Sequence, residues 1–484
     1  MRIIIAGAGP VGLMLAAELR LFGVTVTVVE KLAESTGFSK AGGLHPRTVE
    51  SAELRGMVEG LRARAERKSS RLRSYQARAR GIPLAHFAGI RTIRLDRLPT
   101  NQAGFLGIQQ ADLEDFLAQR AIGLGATLLR GHEIVGLHQD ADQVTVSVIG
   151  PDGRTDLRAS YLVGCDGGRS TVRTLAGFPL DGHEPTITGR LGDVAVPELL
   201  ENPGAGWHRL DGGVIQVTPL RVLTVEFDSP PTDRADRDQP MTKAELAASL
   251  ARVVGRPVDI PAEPQWVSRF TDNTRLVDTY RRGRVLLAGD AAHIHSPFGG
   301  QGLNLGLQDA MNLGWKLAAT LQGWAGDEVL DTYTAERRPV AAGVLHNTRA
   351  QVALMNPSPQ VTPLRELFTE MMDIPEVNQF LGAMITALDV RYDCGEFLPP
   401  AKVRTPDGTV AARELLHSGR PVLLDLSPDS TFAHAAARWG DWVHIITGES
   451  DEIGSVLVRP DGYVCWEDTS PDDLTITLRT WFGG

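Results

Sequence analysis

The chain has 484 residues, of which 42% are hydrophobic and 22% charged, as in soluble globular proteins with roughly two to four domains. Its formal net charge of −10 disfavours nucleic-acid binding as the main role. Residues 62–80 run against this balance, with eight basic residues and one acidic residue. We interpret them as a solvated basic face, with attraction of a phosphorylated cofactor as the alternative.

The cysteines and the apolar runs indicate in which cellular compartment the protein is expected. Cys165, Cys394 and Cys465 are far apart and show no Cys-x-x-Cys or Cys/His spacing, which argues against a disulfide framework or a zinc site. The apolar N-terminus could pass for a signal peptide, but its glycines are regularly spaced and a second strand follows it. Apolar runs elsewhere are too short to span a membrane. These observations predict a cytoplasmic protein that does not enter membranes.

The first thirty residues form the pattern strand, glycine-rich turn, helix, strand, acidic residue. RIIIA at residues 2–6 predicts a buried strand, VGLMLAAELRLFG predicts a helix that ends near Gly23, and VTVTVVE predicts a second strand that ends at Glu30. Between them, GAGPVG allows a tight turn and a close approach of a pyrophosphate to the helix N-terminus. The pattern predicts a dinucleotide site, without distinguishing NAD from FAD. The candidate contacts are Gly7, Gly9, Pro10, Val11, Gly12, Glu30 and Lys31.

Two later motifs favour FAD. YLVGCDGGRSTVR, residues 161–173, places Asp166 directly after an apolar strand, and LLAGDAAHIHSPFGGQGLNLG places Gly289 and Asp290 after another. With GAGPVG, they resemble the three sequence marks of the FAD-dependent aromatic hydroxylases, the single-component flavoprotein monooxygenases similar to para-hydroxybenzoate hydroxylase. Three motifs in the family's order make the resemblance specific.

The resemblance implies particular cofactor contacts. Asp166 would serve FAD and NAD(P)H, Asp290 would bind the ribityl chain of the flavin, and Arg47 would contact an FAD phosphate. Gln110 would lie near the flavin, although the preceding Gln109 leaves the register open. The third motif would supply the flavin contacts Gly289, Pro297, Gly300, Gly302, Leu303 and Asn304, with Pro297, Gly299 and Gly300 beside the reacting atoms.

The third motif also has a physical explanation. Its strand would deliver Asp290 to the carboxyl edge of the sheet, where ligands bind in α/β folds. Glycines in the loop let backbone amides approach a planar ring, and the N-terminus of a helix predicted over 303–320 would stabilise a reduced, anionic flavin. His293 and His295 have no acidic ligands nearby in sequence, so we predict no metal site. Trp315 and Lys316 are interpreted as helix packing and a solvated helix end.

The predicted fold class is α/β. A Rossmann-like FAD-binding domain, residues 1–175, would resume at 279–394 around an inserted β-sheet substrate domain, 176–278. By resemblance to longer family members, residues 395–484 would form a thioredoxin-like domain, here without Cys-x-x-Cys. Residues 229–240 are predicted to form an exposed loop, and a long helix is predicted from 332. Residues that would form either core or pocket are Trp207, His208, Val214, Gln216, Phe227, Met355, Met371, Met372 and Met384.

The implied reaction hydroxylates an electron-rich aromatic ring. In the family, NADPH or NADH binds transiently and reduces FAD, and a flavin C4a-hydroperoxide formed with O2 transfers oxygen to the substrate. Tyr161 and Tyr280 border motif strands, so neither is predicted to be a phenol base. Because no tyrosine base can be assigned and a RYDCGEF segment is present at 391–397, the chain resembles the bacterial polyketide hydroxylases. These enzymes act on polycyclic aromatic substrates. Rifampicin-inactivating monooxygenases are the nearest alternative, and monomer and homodimer remain open.

Other classes fit less well. A flavin-dependent halogenase should carry Trp-x-Trp-x-Ile-Pro, but the closest tryptophans here are Trp439 and Trp442. A flavoprotein dehydrogenase or epoxidase would differ in its products. A nucleotide-sensing flavin-binding protein without turnover would have little use for an open loop beside the flavin.

Overall fold

The computed structural model describes residues 2–39, 41–68, 84–102, 104–227 and 239–483. Most of the basic stretch at 62–80 and of the loop predicted at 229–240 lies outside these residues. No helix in the described ranges has the length and apolar character needed to cross a membrane.

The predicted βαβ unit is present as β1 (Arg2–Ala6), α1 (Pro10–Leu21) and β2 (Thr25–Glu30). Ile3, Ile4 and Ile5 are completely buried, which explains the uniformly apolar strand. Pro10 occupies the first turn of α1, where its missing N–H is not needed for a helical hydrogen bond.

The rest of the chain up to residue 175 adds helices around this unit and a three-stranded antiparallel sheet, β6-β7-β8. The elements are α2 (Pro46–Glu53), α3 (Val58–Lys68), β3 (Leu84–Phe87), β4 (Ile90–Arg94), α4 (Gln110–Gly123), β5 (Thr127–Arg130), β6 (Glu133–Gln139), β7 (Val144–Gly150), β8 (Gly153–Ala159), β9 (Tyr161–Gly164) and α5 (Thr171–Leu175).

The next segment has the predicted β character. Its elements are β10 (Leu180–His183), β11 (Thr188–Gly192), α6 (Pro197–Glu201), β12 (Gly206–Leu210), β13 (Gly213–Val217), β14 (Val222–Glu226), α7 (Lys243–Val254), β15 (Val267–Thr271) and β16 (Thr274–Val277). Five strands form an antiparallel sheet in the order β12-β13-β14-β11-β15. One face of this sheet packs on α7 through an apolar cluster that includes Ile215, Val217 and Leu250.

The chain then returns to the first sheet and continues in long helices. The elements are β17 (Arg281–Arg282), β18 (Val285–Leu287), β19 (His293–Ile294), α8 (Gln301–Gln322), α9 (Glu328–Met355), α10 (Val361–Met371) and α11 (Pro375–Thr386). The six-stranded sheet has the order β17-β18-β9-β1-β2-β5, and its last five strands are parallel. This confirms the α/β class. Helix α8 begins two residues before the predicted start, and α9 begins at Glu328 instead of residue 332.

The prediction of a solvated helix end at Lys316 is wrong. The side chain is completely buried, and its Nζ lies 2.8 Å from Glu336 Oε2 on α9. Arg459 also pairs with Glu336, at 2.6 Å, and with Asp461, at 2.6 Å. These mutually paired charges tie α8 and α9 to the C-terminal segment, which explains why a lysine is tolerated inside the protein.

The C-terminal segment contains β20 (Lys402–Thr405), β21 (Gly408–Ala411), β22 (Val422–Asp425), α12 (Thr431–Ala436), β23 (His444–Thr447), β24 (Val456–Val458), β25 (Val464–Glu467) and α13 (Pro471–Phe482). Its mixed sheet has the order β23-β22-β24-β25, with β22 and β23 parallel and the other pairs antiparallel. The thioredoxin-like assignment stays a prediction. Cys165, Cys394 and Cys465 are free thiols.

Candidate active site

The three motifs meet at one edge of the six-stranded sheet. Strands β1, β9 and β18 are parallel, with β9 between the other two, so the residues that follow them emerge together. A Cβ atom added to Gly7 would lie 2.5 Å from the carbonyl oxygen of Cys165, and one added to Gly289 would lie 3.0 Å from the side chain of Val11. Glycine at these positions therefore allows the three turns to touch.

The first turn has room for a ligand directly above Gly9. A Cβ on Gly12 would collide with the carbonyl oxygen of Gly7 at 2.1 Å, so Gly12 is required by the protein itself. Gly9 differs, because no described atom lies within 4 Å of the position its Cβ would take. Beside it, Glu30 accepts hydrogen bonds from the N–H groups of Ala8 and Leu32, at 2.8 and 2.9 Å. This open space and fixed carboxylate fit the pyrophosphate and ribose of a dinucleotide.

The second motif is a turn that satisfies its own polar groups. Asp166 accepts a hydrogen bond from the Ser170 hydroxyl at 2.5 Å and two more from the N–H groups of Thr171 and Val172, at 2.7 and 3.1 Å. Its carboxylate thereby pairs with the first two N–H groups of α5, next to the N-cap residue Ser170. Arg173 donates to the carbonyl of Ala291 at 3.0 Å, which links this turn to the third motif. The predicted cofactor contact of Asp166 stays a prediction.

The third motif leaves its carboxylate free. The side chain of Asp290 is exposed and accepts no hydrogen bond from any residue the structure describes. A Cβ on Gly302 would lie 3.9 Å from Asp290 Oδ1, so the carboxylate lies near the start of α8. An available carboxylate at the carboxyl edge of the sheet fits the hydroxyl groups of a ribityl chain.

A buried charge supports this motif from behind. Asp309 on α8 is completely buried and accepts hydrogen bonds from Gly289 N–H at 3.1 Å, His293 Nε2 at 2.8 Å and Arg337 Nε at 2.7 Å. Burial disfavours ionisation of this carboxyl, but Arg337 and His293 outweigh it and hold its pKa below the usual range. Neither Asp309 nor Arg337 was predicted from the sequence to be a functional residue. One feature of the sequence could have indicated Asp309, because it is an acidic residue within a helix whose other residues are suited to burial.

The loop before α8 depends on glycine. Gly299 and Gly300 have φ values of +79° and +65°, in the left-handed region that other residues rarely adopt. Pro297 is exposed, whereas Phe298 beside it is buried. A Cβ on Gly302 would lie 3.3 Å from the ring of His295. The conformational requirement for these glycines is therefore evident, and their catalytic roles stay predictions.

The two histidines of this loop already serve the protein. His293 contacts Asp309, and His295 Nδ1 lies 2.8 Å from the carbonyl oxygen of Ser296. Among the residues with described placement, no group of three His, Cys, Asp or Glu side chains is arranged to hold a metal ion.

Asn304 and Arg47 are engaged within the protein. Asn304 accepts from His45 N–H at 2.8 Å and donates to the Gly300 carbonyl at 2.9 Å, which fixes the loop against the start of α2. Arg47 is buried, pairs with Glu50 at 2.8 Å and lies 4.0 Å above the ring of Phe397. It also donates to the carbonyls of residues 387 and 388. This arrangement does not favour a phosphate contact by Arg47, which stays a prediction.

The remaining predicted cofactor residues lie around the same edge. Gln110 begins α4 and accepts a hydrogen bond from Ala41 N–H at 3.3 Å. Lys31 is exposed directly after β2, and Leu303 is half-buried in the first turn of α8. Their cofactor contacts stay predictions.

Neither motif tyrosine is available as a base for a substrate. Tyr280 is completely buried against Tyr333, with ring centroids 5.3 Å apart, and burial raises its pKa well above the usual value. Tyr161 donates a hydrogen bond to Asp327 at 3.1 Å. Both findings agree with the sequence prediction.

An aromatic surface connects the five-stranded sheet to the loop before α8. The ring of Phe298 lies 5.9 Å from Trp207 on β12 and 6.4 Å from Phe270 on β15. Phe270 covers Gly189 on the neighbouring strand, where a Cβ would lie 2.0 Å from its ring. We call Trp207, Phe270 and Phe298 the aromatic wall. It belongs to a buried apolar cluster that continues onto α9 and α11.

The structure separates the candidate pocket and core residues. Val214 and Phe227 belong to the cluster around the aromatic wall, as do Met355, Met372 and Met384. His208 alternates with Trp207 and therefore lies on the opposite face of the sheet, with its Nε2 2.9 Å from the Gly204 carbonyl oxygen. Met371 is 41% exposed and belongs to neither core nor wall.

The fold and this site define a flavin-dependent oxidoreductase of the α/β class. Family models of the FAD binding domain and of the aromatic-ring hydroxylase C-terminal region match residues 1–348 and 392–484. The chain belongs to the FAD-dependent aromatic-ring hydroxylases, and it is an FAD-dependent monooxygenase.

Relatives agree over the full length. A 12-dehydrotetracycline 5-monooxygenase/anhydrotetracycline 6-monooxygenase of Streptomyces rimosus is 44% identical, over 99% of this chain and 98% of the relative. A rifampicin monooxygenase of Streptomyces venezuelae is 41% identical over the same shares. The solved structure of the OxyS anhydrotetracycline hydroxylase from Streptomyces rimosus has a TM-score of 0.89 and 43% identity, with 100% of both chains covered.

Proposed function

We propose that the chain hydroxylates a polycyclic aromatic polyketide similar to anhydrotetracycline, with consumption of NAD(P)H and O2. The observation that carries this proposal is the aromatic wall between the five-stranded sheet and the loop before α8. Aromatic faces bind flat, fused rings through stacking and edge contacts, and the surrounding apolar cluster would keep water from the reacting atoms. The names of the tetracycline-modifying relatives support the same substrate class.

The residues at the sheet edge would hold FAD, which when bound supplies the redox chemistry and the activation of oxygen. Gly9 would admit the pyrophosphate, Glu30 would bind the ribose, and Asp290 would accept hydrogen bonds from the ribityl hydroxyls. Pro297 directly precedes Phe298 of the aromatic wall, and its carbonyl, which accepts one hydrogen bond from Gly300 N–H at 3.0 Å, would use its second lone pair to orient a substrate hydroxyl. The buried pair of Asp309 and Arg337 would keep Gly289 and Asp290 in position.

A rifamycin-type antibiotic is the second candidate substrate, because a rifampicin monooxygenase is nearly as similar to this chain as the tetracycline-modifying relative. Both candidates require an extended apolar surface beside the flavin. We also propose the division into residues 1–175, 176–278, 279–394 and 395–484, a cytoplasmic location, and a monomer or homodimer.

The test follows NADPH and NADH oxidation by the FAD-loaded protein with anhydrotetracycline, other polycyclic phenols and rifampicin, together with mass spectrometry of the products. We expect oxidation stimulated by a polycyclic phenol and a product that has gained one oxygen atom. Oxygen insertion into rifampicin alone would favour the second candidate. Bound flavin without stimulation by any compound would contradict both and favour flavin binding without turnover.

A further inference from the structure

The hairpin of β3 and β4 lies beside both the aromatic wall and the loop before α8. Its turn residue Ala88 donates a hydrogen bond to Gln351 Oε1 at 3.1 Å, and Gln351 Nε2 lies 3.3 Å from the position of a Cβ on Gly299. A Cβ on Gly89 would lie 3.1 Å from Cβ of Trp207. This turn therefore connects Trp207 of the aromatic wall with Gly299 of the loop before α8, where the proposed function puts substrate and flavin.

His86, in this hairpin, presents a hydrogen-bond donor that no described residue accepts. Its ring lies 5.4 Å from that of Trp207, and its Nδ1 accepts a hydrogen bond from Gly89 N–H at 3.3 Å. Burial, with a smaller effect of Arg91, lowers the pKa of His86 to about 4, so the ring is neutral. Because Nδ1 is the acceptor, the single proton is on Nε2. This Nε2–H has no partner among the described residues.

Gln216, the cross-strand partner of Trp207, presents a second polar group without a partner among the described residues. Gln216 lies on β13, directly opposite Trp207 on β12 and Leu223 on β14, so the three side chains share the face that carries the aromatic wall. Gln216 is half-buried, and its amide makes no hydrogen bond to the part of the chain that the structure describes. The neighbouring Arg209, in contrast, is engaged by the carbonyl of Asn356 at 2.7 Å.

We propose that His86 and Gln216 recognise the ring oxygens of a neutral polycyclic aromatic substrate held on the aromatic wall. His86 donates from Nε2 to a ketone or phenol oxygen, and the Gln216 amide can both donate and accept. Polar groups in an apolar surface bind selectively to ligands that pair with them, because unpaired groups are costly to bury. His86 is a binding residue and not a base, since its Nε2, the nitrogen without a described partner, already carries the proton. This inference rests on the proposed function.

The test measures binding and turnover separately in the FAD-loaded protein, with anhydrotetracycline as the probe. We expect His86→Phe to raise the Kd and KM about tenfold with a smaller change in kcat, because a neutral hydrogen bond is lost while the ring volume is kept. His86→Gln, whose amide can donate, should recover most of the affinity. Gln216→Leu should raise the Kd several-fold. The affinity for FAD and the Tm should stay close to those of the wild type in each variant.

The matched control is His208→Phe, which changes a histidine on the opposite face of the same sheet and should leave the Kd within about twofold. Unchanged substrate affinity in both His86→Phe and Gln216→Leu would overturn the inference while leaving the proposed function intact. Loss of FAD from His86→Phe, with unchanged substrate affinity in Gln216→Leu, would also overturn it. A wild-type protein that binds neither anhydrotetracycline nor any other polycyclic phenol would overturn the proposed function, and this inference with it.

Discussion

The second and third motifs use the same residue type in opposite ways. Each places an aspartate just after one of two neighbouring parallel strands, Asp166 after β9 and Asp290 after β18. Asp166 accepts three hydrogen bonds from its own turn, whereas Asp290 is exposed and accepts none from the described residues. A shared position at the sheet edge therefore does not fix a shared role. The local turn decides whether the carboxylate supports the protein or remains available to a ligand.

The two motifs also differ in what supports them. The second motif is stabilised by bonds within residues 166–173, apart from the link between Arg173 and Ala291. The third motif depends on Asp309, which lies on the next helix and is itself held by Arg337 on α9. Substitutions should therefore affect stability and flavin affinity differently in the two regions.

The largest effect is expected at Asp309. Asp309→Ala would leave Arg337 buried without its carboxylate partner, which should lower the free energy of unfolding by about 3–5 kcal/mol. Denaturant unfolding of the flavin-free protein checks this, with Asp309→Asn as the variant that retains the volume. A loss below about 1 kcal/mol would show that the third motif does not depend on this buried charge.

The second largest effect is expected on acidification, which should destabilise the region of the third motif through His45. The backbone N–H of His45 donates a hydrogen bond to Asn304, and burial lowers the pKa of the His45 ring to about 4. Between pH 6.5 and 4 this residue binds more protons in the unfolded state, so its contribution to stability falls as pH falls, by about 1.4 kcal/mol per pH unit and about 3 kcal/mol in all, and other buried histidines such as His86 add to it. The free energy of unfolding, measured across this pH range, should fall less steeply with decreasing pH in His45→Gln than in the wild type. The second motif contains no histidine and should not contribute to this pH dependence. An equal pH dependence of stability in the wild type and in His45→Gln would contradict the assignment to His45.

Asp290→Ala should mainly reduce flavin affinity. Loss of hydrogen bonds to a charged carboxylate predicts a Kd for FAD about tenfold to a hundredfold higher, with apo-protein stability changed by less than about 0.5 kcal/mol. Flavin fluorescence titration measures the affinity, and Asp290→Asn tests how much of it needs the charge. Retention of stoichiometric, tightly bound FAD by Asp290→Ala would count against the proposed ribityl contact.

The smallest effect is expected at Asp166, where Asp166→Ala removes the carboxylate that accepts from the first two N–H groups of α5 while the N-cap Ser170 stays in place. We expect a stability loss of about 1 kcal/mol and a smaller change in FAD affinity than in Asp290→Ala. The same unfolding and titration measurements apply. An affinity loss equal to that of Asp290→Ala would show that Asp166 also contacts the cofactor, as the family resemblance implies, and would remove the contrast between the motifs.

The sequence by itself determined the βαβ unit, the order of the three motifs and the family. These features are local, since strand periodicity and the backbone freedom of Gly7 and Gly299 can be recognised within short stretches. The same stretches also indicated that Asp290 lies at the carboxyl edge of the sheet, because it follows closely after the end of a strand, whereas its lack of hydrogen-bond partners among the described residues became evident only in the folded structure.

Only the tertiary structure decided which polar residues are buried and which remain available. Lys316, predicted to be solvated, is paired with Glu336, and Arg47 is enclosed by contacts from residues more than 300 positions away. The role of Asp309 depends on its pairing with Arg337. The proposed roles of His86 and Gln216 depend on their positions beside Trp207. Such assignments depend on packing between segments distant in the chain, because burial and pairing are properties of the folded arrangement and not of neighbouring residues.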